Sequence, residues 1–93
     1  MYQVIIPNSV KRDMKRLDKA VMKSIIDSLD ILSKNPHLGT HLAGELSQLF
    51  KLSVRQRKVE YRIVYKIIEN RLEVHVMHIG TRENFYNSLQ RRL

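Results

Sequence analysis

The sequence predicts an α+β fold in which a helical pair packs on one face of an antiparallel sheet. Two apolar stripes with helical spacing lie in the N-terminal part, and three later segments alternate apolar and polar residues. The chain's 93 residues suffice for one hydrophobic core and not for two. We therefore expect a single domain over residues 1–93, ordered as N-terminal strand, helical pair, three-stranded antiparallel meander and short C-terminal helix.

A short strand and a first helix are predicted at the N-terminus. Tyr2–Ile6 is apolar and rich in β-branched residues, and it stops at Pro7. Asn8 or Ser9 then stands where a helix cap is expected. The apolar stripe of this helix consists of Val10, Met14, Leu17 and Val21. Its other side is basic and consists of Lys11, Arg12, Lys15, Arg16 and Lys19.

A second helix is predicted because a second apolar stripe is offset from the first. This stripe consists of Met22, Ile25, Ile26, Leu29 and Leu32. The offset indicates a break near Asp18 or Lys19, or one bent helix. The helical part should end at Asn35-Pro36, because a residue before proline resists the α conformation.

A loop and three strands are predicted next. His37–Gly44 has weak periodicity and is expected to be a loop that anchors Leu38 and Leu42 in the core. The alternating segments are Phe50–Arg55, Val59–Ile68 and Leu72–Met77. The connections at Gln56–Lys58 and Glu69–Asn70 are short enough for hairpins.

The end of the chain is predicted to form a short helix. Gly80 breaks the last strand, and Thr81 stands where it can cap a helix that carries Phe85 and Leu89 one turn apart. The sheet face opposite the helical pair then carries Lys51, Ser53, Arg55 and Arg62. Functional chemistry is expected on that face.

The net charge favours a polyanionic partner. Seventeen Lys and Arg stand against nine Asp and Glu, which gives a formal charge of +8. General solubility is the alternative explanation, but the basic residues are unevenly placed. The segment from Lys51 to Lys66 contains six basic residues and a single acidic residue, Glu60. This clustering favours a surface that binds phosphates or acidic protein segments.

Several classes of site are disfavoured. The absence of cysteine excludes disulfides and thiolate metal sites and fits a reducing cytoplasm, where we expect the protein to act. The four histidines have no cysteine or clustered acid beside them and are expected to be surface residues of loops and strands. No glycine-rich phosphate loop is present either, so no metal or cofactor is expected. The apolar N-terminal run is too short for a signal peptide or a membrane span.

Two arginines are the main candidates for anion binding. Arg62 interrupts an apolar strand, so it must be solvated, paired with Glu60, Glu73 or a loop acid, or placed to receive an anion. Arg82 follows the last strand, where backbone N–H groups at a helix start favour anions. Tyr86 lies one helical turn later, and core packing is its alternative role.

These segments together resemble the RelE/ParE superfamily of toxins from bacterial and archaeal toxin–antitoxin pairs. The motifs that carry the resemblance are Leu49-Phe50-Lys51-Leu52, Tyr61-Arg62-Ile63-Val64-Tyr65, Ile79-Gly80-Thr81-Arg82 and Phe85-Tyr86. The similarity also includes the N-terminal strand, the helical pair ending in Asn35-Pro36 and the Leu42-Ala43-Gly44 loop, so it covers nearly the whole chain. It implies a RelE-like, microbial RNase-like fold and a cognate, acidic, partly disordered antitoxin.

The resemblance also implies roles for individual residues. Arg62 and Arg82 match the arginines that hold the scissile phosphate, and Lys51 matches a catalytic lysine of the RelE branch. Arg55 matches a nearby basic strand position, and Tyr86 matches a tyrosine that contacts the substrate base. Further RNA contacts are expected from Lys58, Lys11 and Lys15.

The expected activity is ribosome-dependent cleavage of mRNA without a metal, which inhibits translation. Two alternatives remain open: a ParE-like inhibitor of DNA gyrase, and a non-catalytic basic module that binds RNA or protein. The sequence departs from the RelE pattern at Ser53 (lysine in some members), at Thr81 (often histidine) and at Thr40 (glutamate in one branch). The general acid and general base are therefore left open.

Overall fold

The computed structural model describes residues 1–81, and within them five strands and two α-helices form an α+β structure. The elements are β1 (Gln3–Ile5), α1 (Asn8–Met14), α2 (Lys19–Lys34), β2 (Thr40–His41), β3 (Phe50–Gln56), β4 (Val59–Ile68) and β5 (Glu73–Thr81). Short 3₁₀ turns occur at Pro36–Leu38, Gly44–Leu46 and Glu69–Arg71. The predicted C-terminal helix lies outside the described residues.

The helical pair forms where the apolar stripes predict it. α1 ends at Met14 and α2 begins at Lys19, so the predicted break is confirmed. Both stripes enter one core together with the facing strands, except for Ile26, which is 52% exposed. The predicted cap is wrong: Pro7 occupies the N-cap position of α1, and its carbonyl accepts the N–H groups of Val10 and Lys11. Proline fits there because its fixed backbone angle matches the extended residue before a helix.

The sheet is mixed, with strand order β1-β5-β4-β3-β2. The predicted meander is present, because β3 pairs antiparallel with β4 and β4 pairs antiparallel with β5. The fully antiparallel prediction is wrong at one edge, where β1 pairs parallel with β5. It also missed β2, which lies inside the predicted loop and pairs with β3. Pairings between residues this far apart leave no local pattern in the sequence.

The loop after α2 is anchored differently from the prediction. Leu42 is buried as expected, but Leu38 is 48% exposed, so its predicted anchoring role is wrong. Pro36 is buried instead, at the start of the 3₁₀ turn. The tight turn directs the side chain of Leu38 outward and the proline ring inward.

A β-bulge in β5 changes which side chains face the helices. Val64 of β4 lies opposite His78, whereas Tyr65 lies opposite Val76, so Met77 is an additional residue in β5. Val76 and Ile79 consequently both belong to the core under the helices. His78 lies on the other face of the sheet, where Met77 packs against Val64. The predicted strict alternation therefore ends at Met77. The predicted break at Gly80 is wrong, because β5 continues to Thr81 and Gly80 pairs with Arg62.

The second face of the sheet is partly covered. Leu42 and Leu49 pack on Val64 there, with Leu46 and Met77 at the margin. We call the remainder of this face the open face. It consists of Lys51, Ser53, Arg55, Glu60, Arg62, His78 and Gly80. Among the described residues, no helix is long and apolar enough to cross a membrane.

Candidate functional site

The pairing of β3 with β4 assembles the centre of the open face. Lys51 lies opposite Val64, Ser53 opposite Arg62, and Arg55 opposite Glu60. Side chains of opposite residues project from the same face, with their Cβ atoms about 5 Å apart. The structure therefore brings Lys51, Arg55 and Arg62 together on one surface, as the alternation in the sequence predicts.

The guanidinium of Arg62 is held in place at this centre. Its side chain is 12% exposed, and Nε donates to Oε2 of Glu60 at 3.3 Å, where Glu60 is 33% exposed. The ion pair with Glu60, one of the alternatives considered for Arg62, is therefore present. It does not exclude anion binding, because a guanidinium has five N–H donors and can contact a carboxylate and a phosphate at the same time.

The charge around Arg62 is positive. Glu60 lies opposite Arg55 as well as next to Arg62, so one carboxylate stands between two guanidinium groups. Lys51 adds a third cation on the same strand as Arg55. A phosphate brought to this surface would meet the held, largely buried guanidinium of Arg62, which binds an anion more strongly than a fully solvated cation does, with Lys51 and the exposed Arg55 nearby.

His78 and Gly80 complete the neighbouring strand, and sequence reasoning missed His78. We expected the histidines to be surface residues, but His78 is only 3% exposed. A Cβ on Gly80 would lie 3.0 Å from Nε2 of His78, so the imidazole edge rests over this glycine. Gly80 is itself opposite Arg62. The bulge that places His78 here has no signal in the sequence pattern.

The loop after α2 is attached to β3 at Lys51. The buried hydroxyl of Tyr65 donates to the carbonyl of Pro36 at 2.7 Å and accepts the N–H of Gly39 at 3.0 Å. Burial raises the pKa of Tyr65, and the bond from Gly39 partly offsets the rise. A Cβ on Gly39 would lie 2.6 Å from the carbonyl oxygen of Lys51. Glycine is therefore needed for this close approach.

The other predicted RNA-binding residues are dispersed. Lys58 is exposed in the two-residue turn between β3 and β4, close to Arg55. Lys11 and Lys15 are exposed at α1, in the helical layer on the other side of the sheet, so the structure does not join them to Arg62. Arg82 and Tyr86 lie outside the described residues, and their roles stay predictions.

A separate apolar groove lies between β1, α1 and α2. Its volume is about 590 Å³. Its apolar lining consists of Val4, Ile6, Met14, Met22, Ile26 and Leu29. Lys11 and Lys15 border it, and Ile26 is 52% exposed. Lys19 and Lys23 continue the basic border where the groove extends past Met22.

The described residues hold no cluster of three potential metal ligands. The exposed His37 pairs with Glu69, with 2.8 Å between Nε2 and Oε1. His75 pairs with Glu73 on β5, with 2.9 Å between Nε2 and Oε1. The His37 pair therefore links the loop after α2 to the turn after β4, whereas the His75 pair lies within β5.

Comparison with known proteins identifies relatives over almost the whole chain. Residues 4–90 match the model of a family described as ParE-like toxin of type II bacterial toxin–antitoxin system. Toxin RelE of Mycobacterium tuberculosis is 31% identical over 87 residues, which cover 91% of this chain and 86% of that protein.

Two solved structures share the fold. A mutant of Escherichia coli toxin RelE in the free state superposes with a TM-score of 0.79 at 19% identity, covering 99% of this chain and 97% of that one. The toxin–antitoxin complex RelBE2 of Mycobacterium tuberculosis superposes with a TM-score of 0.72 at 25% identity, covering 87% of this chain and 98% of that one.

Proposed function

Because this chain belongs to the ParE-like toxin family of type II bacterial toxin–antitoxin systems, we propose that it is a ribosome-dependent mRNA endoribonuclease that inhibits translation. The observation that carries the proposal is the position of Arg62, largely buried and held by Glu60, beside Lys51 and Arg55 on the open face. One held guanidinium with two further cations on the same sheet surface suits the phosphodiester of a single RNA strand. The site of action would be the cytoplasm, where ribosomes translate.

The proposed reaction uses the RNA's own nucleophile. The 2′-hydroxyl attacks the adjacent phosphorus, a new O2′–P bond forms and the P–O5′ bond breaks, which leaves a 2′,3′-cyclic phosphate and a 5′-hydroxyl. Arg62 would stabilise the negative charge that develops on the phosphorane oxygens. Lys51 would act as the base or as a further electrostatic stabiliser. By the family resemblance, Arg82 would hold the same phosphate and Tyr86 would orient the nucleotide.

The sparse set of groups accounts for the proposed need for a ribosome. Within residues 1–81, the charged groups that the open face offers around Arg62 are two further cations and the carboxylate of Glu60, all on one sheet surface. An open surface does little to bring the 2′-hydroxyl into line with the leaving oxygen. Alignment contributes several orders of magnitude to such reactions, so a ribosome that holds the mRNA would supply what the protein lacks.

We also propose that the antitoxin partner inserts an acidic amphipathic helix into the groove between β1, α1 and α2. The groove is apolar inside and bordered by Lys11, Lys15, Lys19 and Lys23. The one acid among the described residues that line it, Asp30, is paired with Lys34 at 3.2 Å, so the border is basic on balance and complements a helix with one apolar and one acidic face. A toxin–antitoxin complex is among the structures with this fold. Replacement of Ile26 by Asp should weaken antitoxin binding at least tenfold in titration calorimetry. An unchanged affinity would place the antitoxin elsewhere.

Inhibition of DNA gyrase is the second candidate function, because the matching family model carries the ParE-like description. A gyrase inhibitor acts through protein contacts and needs no phosphate site. The arrangement of Lys51, Arg55 and Arg62 on one face is the reason for placing the nuclease first.

A cell-free translation reaction tests the proposal. The protein is added to ribosomes translating a defined mRNA, new 5′ ends are mapped by primer extension, and naked mRNA serves as the control. The expected result is cleavage at codons in the ribosomal A site and little cleavage of naked mRNA. Intact mRNA with inhibited supercoiling in a parallel gyrase assay would favour the second candidate. RNA binding without effect in either assay would indicate a non-catalytic basic module.

A further inference from the structure

A buried imidazole on the open face has no part in the proposed reaction. His78 is 3% exposed, and it reaches this face only because Met77 is inserted as a bulge. Without the extra residue, the period of two would turn His78 toward the helices and Ile79 toward the open face. The bulge thus places a nearly buried polar ring on the same face as Arg62 and Glu60.

The glycine next to this ring determines where the imidazole lies. A Cβ on Gly80 would be 3.0 Å from Nε2 and 3.2 Å from Cε1 of His78, closer than side-chain contacts normally allow. The ring edge therefore occupies the space that a side chain at position 80 would fill. That space adjoins Arg62, because Gly80 is its partner across the strands and opposite Cβ positions are about 5 Å apart.

Arg62 consequently has a neighbour on each side. Glu60 binds Nε from two residues earlier on β4. The imidazole of His78 stands over Gly80 on the adjoining β5. With the side chain only 12% exposed, the guanidinium has few alternative directions. We propose that His78 is a positioning residue that packs beside Arg62 and, together with Glu60, sets the direction in which the guanidinium meets an RNA phosphate.

This inference rests on the proposed nuclease function, so its test combines activity with a readout that needs no substrate. The variants are His78→Ala, which removes the ring, and Gly80→Ala, whose methyl group displaces it. His75→Ala is the matched control, since it removes a half-buried imidazole from the same strand. Each variant is first compared with the wild type in thermal unfolding. The activity measured is cleavage of ribosome-bound mRNA at varied ribosome concentration, which separates kcat from KM.

The second readout is the ¹⁵N–¹H resonance of Nε in Arg62, assigned by its loss in Arg62→Lys. For His78→Ala we expect kcat to fall by about tenfold to a hundredfold with KM nearly unchanged, since a small misplacement has effects of that size. Gly80→Ala should show a smaller fall, His75→Ala none, and the Arg62 resonance should shift or broaden only in the first two variants.

Three outcomes decide the inference. Wild-type kcat and an unchanged Arg62 resonance in folded His78→Ala would overturn it. Loss of activity with an unperturbed Arg62 resonance would also overturn it, because His78 would then act without positioning this arginine. If the wild type itself does not cleave mRNA, the nuclease proposal fails separately, and the resonance alone decides whether His78 positions Arg62.

Discussion

Replacing Tyr65 by Phe should destabilise the protein by about 2–4 kcal/mol. The change removes the hydroxyl group that donates a hydrogen bond to the carbonyl of Pro36 at 2.7 Å and accepts one from the N–H of Gly39 at 3.0 Å. The side chain is fully buried, so two backbone groups lose their partner where water does not readily replace it. Each unsatisfied group costs about 1–3 kcal/mol, and the partial exposure of Gly39 argues for the lower half of the summed range.

The assay is equilibrium unfolding in urea followed by circular dichroism, with the free energy obtained from the midpoint at constant slope. Tyr61→Phe is the matched control. Tyr61 lies on the same strand and packs against the same core, and its hydroxyl makes no hydrogen bond within residues 1–81. A loss below about 0.5 kcal/mol for Tyr65→Phe, equal to that of Tyr61→Phe, would refute the assigned hydrogen-bond role.

Further predictions concern backbone strain, pH, the ion pair and salt. Leu72 is exposed with φ +53°, so Leu72→Gly should stabilise the protein by about 0.5–1 kcal/mol in urea unfolding, and a loss would contradict the strain argument. The hydrogen bond from Tyr2 holds the pKa of Glu69 below its ordinary value. The stability that this hydrogen bond contributes is present above the unfolded-state pKa of Glu69 and is lost as pH falls through the folded-state pKa. The free energy of unfolding of Glu69→Gln should therefore depend less on pH in this acidic range than that of the wild type. An identical pH dependence of the two proteins would contradict a stabilising role for the Tyr2–Glu69 hydrogen bond. Glu60→Gln should tighten RNA binding several-fold in fluorescence anisotropy, because it removes a carboxylate that repels phosphate, and it should lower kcat, because Arg62 loses an ionic partner that orients it; an unchanged affinity would show that this carboxylate does not oppose RNA binding. RNA affinity should fall steeply between about 50 and 200 mM salt, whereas a flat response would exclude phosphate contacts.

The local elements of the fold could be predicted from the sequence because their signals are local. Helical spacing places α1 and α2 correctly and locates the break between them. Alternation in β3 and β4 places Lys51, Arg55 and Arg62 on one face, and the structure confirms that placement. The motifs that resemble RelE/ParE toxins also identified the family correctly.

Features that depend on distant pairings could not be predicted. The parallel pairing of β1 with β5 and the short β2 depend on which strand edges remain available after the meander forms. The bulge at Met77 is a third case, because an inserted residue leaves no mark in a sequence that continues to read as a strand. That bulge determines the position of His78. The presence of His78 at the candidate site could therefore not be predicted from the sequence either. The roles predicted for Arg82 and Tyr86 rest on the resemblance.

The central claim is that the open face around Arg62 cleaves mRNA on the ribosome. The most direct test is the single-turnover cleavage rate of a defined mRNA on purified ribosomes with wild type, Arg62→Ala and Arg71→Ala. Arg71 is an exposed arginine in the turn between β4 and β5, and the part of β4 between Arg62 and this turn is about 20 Å long. Removal of either arginine changes the net charge by the same amount, but only Arg62 lies on the open face. The account predicts a fall of about a hundredfold to a thousandfold for Arg62→Ala and a rate close to wild type for Arg71→Ala. Equal rates for the wild type and both variants would contradict it.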